Sequence, residues 1–167
     1  MTLDDGTYRW ASLWLLLLIL AATASMESAI AEQHPLSAEI QRGRYLVITS
    51  GCNDCHTPNY PESGGQVDEQ LWLTGSALGW RGPWGTTYAS NLRQVVQRVS
   101  EDQWLSHARN TWRPPMPWFN LRDMADADLL AIYRYIRQLG DAGEAAPVYV
   151  PPDQEPAGVY VQFPPAP

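Results

Sequence analysis

Lysine is missing from this chain of 167 residues: its 11 basic side chains are all arginine, and 18 acidic ones outweigh them to a net charge of −7. That balance excludes the basic face that nucleic acid or an anionic membrane surface requires. Cysteine is scarce, with only Cys52 and Cys55, so a structural zinc site would need its other ligands from His34, His107 or carboxylates, none of which is paired at a recognisable spacing. No internal repeat and no convincing strand alternation occurs, and the core therefore reads as all-helical. The length allows one domain with a real core and is too short for two.

Long hydrophobic runs are also lacking, with one exception. Residues Ala11 to Ala24 (ASLWLLLLILAATA) are apolar, then come polar residues and the small-residue triplet Ala29-Ile30-Ala31. The pattern is that of a secretory signal cleaved after Ala31, although Asp4 and Asp5 beside a single Arg9 depart from the usual positive excess. The alternative is an uncleaved anchor on the periplasmic face of the inner membrane, for which the run falls short of the roughly 20 apolar residues of a span. Export to the periplasm places both cysteines in an oxidising compartment, where a lone pair becomes a disulfide unless other chemistry claims it.

The exported chain divides into a domain over residues 32–140 and a proline-rich tail over 141–167. Leu36, Ile40, Gly43 and Val47 keep helical spacing, predicting a helix from Ser37 to Thr49 that stops near Gly51. Residues Thr57 to Tyr88, with Trp72, Trp80 and Trp84, lack periodicity and predict a long loop region wrapped around something. Leu92, Val95, Val96 and Val99 mark a short helix. Ser100-Glu101-Asp102-Gln103 forms a capping box that starts another, carrying Trp104, Leu105 and Ala108. "RPPMPW", Arg113 to Trp118, cannot be helical. A last helix runs from Asp126 to Leu139, with Leu129, Ile132, Tyr133, Ile136 and Leu139 on one face, Ala125 as a poor N-cap and Gly140 as its stop. The tail either lies over the domain, anchored by Tyr149, Tyr160 and Phe163, or hangs free.

The chemistry gathers at "GCNDCHT", Gly51 to Thr57. On one helical turn Cys52, Cys55 and His56 stand at i, i+3 and i+4 and share a face. Two thiols so placed meet the two vinyl groups of a haem as thioethers, while the adjacent imidazole sits beneath the iron as proximal ligand. The rivals are weaker. A thioredoxin-like couple needs a preceding strand and a parallel sheet, and a disulfide across three residues closes too small a loop to stabilise much. Met116, between prolines in the non-helical segment, is the candidate sixth ligand, giving the imidazole–thioether pair suited to outer-sphere electron transfer. Met124 reads as packing, His107 as solvent-facing, and His34 as part of the N-terminal lead. The second nitrogen of His56 needs an acceptor, which a carbonyl of Pro58 or Pro61 would supply. Arg81 is a candidate partner for a haem propionate; the tryptophans and Tyr88 are candidate lining.

With these residues in view, the sequence resembles the monohaem class I cytochromes c of bacteria, including the cytochrome modules that accept electrons from membrane-associated dehydrogenases. The resemblance runs from Ile40 to Gly140, through "GRYLVITSGCNDCHTP", "GPWGTTYASNL" and "PPMPWFNLRDMADADLLAIYRYIRQLG". It implies the cytochrome c fold, all-α, with helices and long loops wrapped around one covalent haem c. It carries the thioether cysteines to Cys52 and Cys55, the proximal ligand to His56 and the distal one to Met116. It also implies that the first and last helices cross at a small residue beside an aromatic, matching Gly43 and Tyr45 with Tyr133 or Tyr135. The expected role is a periplasmic electron carrier, not an enzyme, meeting redox protein partners in transient encounters. Two alternatives stand beside it: a haem subunit of a dehydrogenase or oxidase complex, and a haem with an open distal site, peroxidase-like or gas-binding.

Overall fold

The computed structural model describes residues 38–164. The apolar run, the triplet at 29–31, His34 and Ser37 lie outside the described residues, as do the last three of the tail. Among the described residues no helix is long and apolar enough to cross a membrane.

The first helix, α1, covers 38–49 among the described residues and buries Leu46 and Val47 while Tyr45 and Ile48 stay exposed. Ser50 and Gly51 interrupt it, and α2 (Cys52–His56) follows as a single separate turn. Downstream come α3 (Leu92–Arg98), α4 (Glu101–Ala108), α5 (Trp118–Asp123) and α6 (Asp126–Leu139). The capping box of α4 is formed in full, with Ser100 and Gln103 each satisfying the other's backbone N–H. Asn91 caps α3 by accepting from the Gln94 N–H. The last helix starts after an uncapped Ala125 and stops at Gly140. The short helix α5 is not foreseen from sequence; its six residues follow Pro117 too closely to show a period.

α6 is the central element. Its buried Leu129, Ile132, Tyr133 and Ile136 pack with Val47 of α1, Val96 of α3 and Trp104 of α4. The Trp104 indole donates to the Leu129 carbonyl at 2.9 Å, and the Tyr133 hydroxyl to that of Val99 at 2.8 Å. Gly43 meets α6 directly: a methyl group there would overlap the Ala131 carbonyl and lie 2.8 Å from Tyr135 Cβ. The small residue thus sits at a helix crossing beside Tyr135, whereas Tyr45 points outward at 56% exposure.

The loop region after α2 is not wholly without strands, contrary to the reading from periodicity. β1 (Gly79–Gly82) and β2 (Gly85–Tyr88) form an antiparallel hairpin, and β3 (Tyr160–Gln162) of the tail joins the other side of β1 in parallel. The rest of the loop earns its order by burial. Trp72 and Leu73 enter the core, the Trp72 indole donating to the Val67 carbonyl at 2.9 Å.

The tail lies over the domain rather than hanging free. Phe163 packs against Trp80 and Trp84 with ring centroids 6.0 and 5.4 Å away, and the Tyr149 hydroxyl donates to the Trp84 carbonyl at 2.8 Å. Tyr160 anchors the tail through β3, beside Gly79 and beneath the Arg81 guanidinium, which stands 5.6 Å from the Tyr160 ring centroid, while its hydroxyl donates to Glu155 within the tail.

Candidate functional site

Gly51 adopts the left-handed conformation, φ +70°, which turns the chain out of α1 and into the turn that carries the motif. From there Cys52, Cys55 and His56 all reach the wall of one cavity of about 400 Å3. Met116, flanked by Pro115 and Pro117, lies on the wall of the same cavity. The four residues singled out from sequence are thus brought together. Between them the wall is largely apolar, with Trp80, Leu92, Val95, Trp104 and Ile132.

His56 is buried, and its Nδ1–H donates to the Ser90 carbonyl at 2.8 Å. A proton held on Nδ1 leaves the lone pair on Nε2, the tautomer that ligates a metal through Nε2. Burial also lowers the imidazole pKa, which favours the neutral, ligating form. The acceptor is not Pro58 or Pro61 as the sequence suggested. The segment after His56 folds into its own turns, with the Pro61 carbonyl accepting from the Gly64 N–H at 3.0 Å. Ser90, at the entry to α3, takes the place instead.

The residues behind the imidazole hold it in place. Thr57 Oγ1 donates to Asn53 Oδ1 at 2.7 Å and accepts from the Leu73 N–H at 2.8 Å, while the His56 carbonyl accepts from the Gly75 N–H at 2.8 Å. Both cysteines are free thiols. Burial pushes the Cys52 thiol up to about 11 and raises that of Cys55 as well, with Asp54 adding to both. Thiols held protonated are poor nucleophiles and redox partners, which weighs against the thioredoxin-like reading. Among the described residues no three His, Cys, Asp or Glu side chains converge on a metal position. The donors around this largely apolar slot, the Cys52 and Cys55 thiols, the His56 and His107 imidazoles and the Met116 and Met124 thioethers, include the set a covalently held haem requires.

The loop bearing Met116 is closed at its base by Arg109, whose guanidinium donates to the carbonyls of Leu121 at 2.8 Å and Met124 at 2.9 Å and pairs with Asp126. Thr87 of β2 ties it at the side by donating to the Pro114 carbonyl at 2.7 Å.

Other candidates move. His107 is half-buried rather than fully solvent-facing: it also lines the cavity, edge-on to Trp112 at 6.3 Å. It stands at i+3 from Trp104, so the two share a face of α4. Met124 also reaches the wall while packing against the core. Arg81 is not on the wall; Thr86, the Gln154 carbonyl and Glu155 occupy its guanidinium. Trp80 and Tyr88 line the cavity, whereas Trp72 is core. Trp112 lines it too, as the sequence allows for the tryptophans, whereas sequence reasoning missed Ser90, Arg113 and Tyr149 as wall residues. Among the described residues Arg113 is the one wall residue with a permanent charge, and Tyr149 comes from the tail.

Comparison of the chain with family models, with curated proteins and with solved structures finds no match in any of the three.

Proposed function

We propose that this chain is an exported electron carrier with a single c-type haem, joined covalently through Cys52 and Cys55 and ligated by His56 and Met116. The observation that carries the reading is the convergence of a Cys-x-x-Cys-His turn and a proline-flanked methionine on one apolar cavity. The volume suits it, since cofactor pockets span roughly 300–1,000 Å3. A haem bound there supplies the one-electron iron couple.

The residues around the cavity have separable tasks. Cys52 and Cys55 would supply the sulfurs for the two points of covalent attachment. Ser90 fixes the imidazole's tautomer and orientation and strengthens its donation. Trp80, Leu92, Val95, Trp104 and Ile132 exclude water, which raises the cost of an added positive charge and so favours the reduced form. Arg109 and Thr87 hold the methionine loop closed. Trp112 and Phe119, exposed at 44% and 50%, offer a small apolar surface on either side of that loop for brief contact with a redox protein partner in the periplasm.

One observation favours a second reading. His107 on the wall is an acid–base group, which an open-iron peroxidase-like or gas-binding protein would use.

The test is covalent retention. The full chain is expressed with a cytochrome c maturation system, and haem is extracted with acidified organic solvent. Haem staying with the protein, and released when Cys52 and Cys55 are both replaced by alanine, supports the proposal. A protein that matures without haem, or surrenders it all to solvent, overturns it.

A further inference from the structure

Among the described residues the cavity wall carries one guanidinium, at its solvent-exposed edge, and its setting is built. Arg113 lies over the ring of Tyr149 with Cζ 4.0 Å from the centroid. A guanidinium stacked by its face keeps its in-plane N–H donors available for a planar acceptor. Among the described residues no carboxylate pairs with Arg113 and no acceptor takes its N–H groups. The charge is therefore stationed at a cofactor-sized cavity with its hydrogen-bonding edge unspent.

Tyr149 is itself held. Its hydroxyl donates to the Trp84 carbonyl at 2.8 Å, and the neighbouring Val150 exchanges backbone hydrogen bonds with Thr86 of β2 at 2.7 and 3.0 Å. Gly85 makes that approach possible: it sits at φ +95°, and a methyl group there would stand 2.8 Å from the Tyr149 hydroxyl oxygen and overlap the Val150 carbonyl. Three features on separate segments, Gly85 on the hairpin, Tyr149 on the tail and Arg113 before the methionine loop, thus produce one fixed cation at the wall.

We propose that Arg113, positioned by Tyr149, is the seat for a carboxylate of the bound macrocycle, and that the tail segment 147–150 is part of the cofactor site rather than an appendage. The inference rests on the haem reading above, since a haem brings two propionate carboxylates to its cavity. A planar carboxylate matches the fork of an arginine, which can hold it by two parallel hydrogen bonds. The cation also opposes the extra positive charge of oxidised iron, so Arg113 raises the reduction potential. Tyr149, which also borders the cavity, holds Arg113 in place and is a positioning residue.

The experiment compares wild type with R113Q, R113K, Y149F and Y149L, each matured with haem, and reads covalent haem content first and midpoint potential second. Full haem content with a lower potential in R113Q, a partial shift in R113K, a wild-type value in Y149F and a lowered value in Y149L supports the seat. The gap between wild type and R113Q should narrow as salt is raised, because Arg113 is exposed to solvent on its outer side. Full haem content with an unchanged potential in R113Q overturns the seat while leaving the haem reading intact. Absence of covalent haem in the wild type overturns both. If R113Q fails to mature, R113K decides the matter by the same potential criterion.

Discussion

The Nδ1–H of His56 donates to the carbonyl oxygen of Ser90 across 2.8 Å and 34 positions of sequence. The bond joins the motif turn to the entry of α3, and what holds that entry in place is Asn91. Its side chain accepts from the Gln94 N–H at 3.1 Å and donates to the carbonyls of Ala142 and Glu144 at 2.7 and 3.1 Å.

Replacing Asn91 by alanine removes a helix cap and the tie to the tail together. A cap of this kind contributes about 1 kcal/mol, and the expected result is a loss of stability of that order, read as a lower urea midpoint at unchanged slope. The His56–Ser90 bond should also loosen, weakening imidazole donation and raising the midpoint potential. An N91A protein whose stability and potential both match the wild type would contradict this view of the α3 entry.

Met116 and Met124 both reach the cavity wall, so paired substitutions separate ligand from lining. M116A should lower the midpoint potential, abolish the far-red sulfur-to-iron band and admit carbon monoxide to the ferrous protein. M124A should keep the band and lose only packing, about 2 kcal/mol or more of stability. The reverse pattern would move the sixth ligand to Met124.

Gly43 has no room for a side chain against the Ala131 carbonyl. G43A should force α1 and α6 apart and destabilise the protein by roughly 3 kcal/mol, read as a fall in thermal or urea midpoint. A neutral G43A would mean that the two helices do not cross at this contact.

The acid limb of stability has named contributors. A hydrogen bond from Arg44, with a second from the Tyr135 hydroxyl, holds the Glu69 carboxyl below the usual carboxylate range, and Arg134 does the same for Glu101. The unfolded chain then binds protons before the folded one as pH falls. The stability these pairs contribute is present above the ordinary glutamate value of about 4.3 and is lost as pH drops through it toward the lowered folded values. E69Q should flatten the decline of the urea midpoint between neutral and acid pH. A decline as steep as that of the wild type would assign the acid sensitivity elsewhere.

Legibility from sequence followed the physics of each element. α6 was readable from Asp126 to Leu139 because an unbroken 3.6-residue period ends at a glycine, and the Ser100–Gln103 box is a local contract between residues three apart. The motif turn and Met116 were readable because their residue types are few and their spacing or proline setting is distinctive. β1, by contrast, is Gly-Trp-Arg-Gly, four residues with a glycine at each end, and its parallel partner lies in the tail about 80 positions away. Ser90 contributes only a backbone carbonyl, which any residue possesses, so no side chain marks it. Tyr149 was noticed as an anchor, but only the fold shows that it also supports Arg113 at the cavity. His107 was within reach: its place three residues after Trp104 already set it on the inner side of α4.

The most direct test of the central claim is the visible spectrum of the matured, exported protein in its ferric and ferrous forms, with carbon monoxide added to the latter. The account predicts a low-spin c-type spectrum, a far-red sulfur-to-iron band in the ferric form, and no response to carbon monoxide. A ready carbon monoxide shift without that band would contradict a closed His56/Met116 site and bring the open-iron reading, with His107 beside it, to the front.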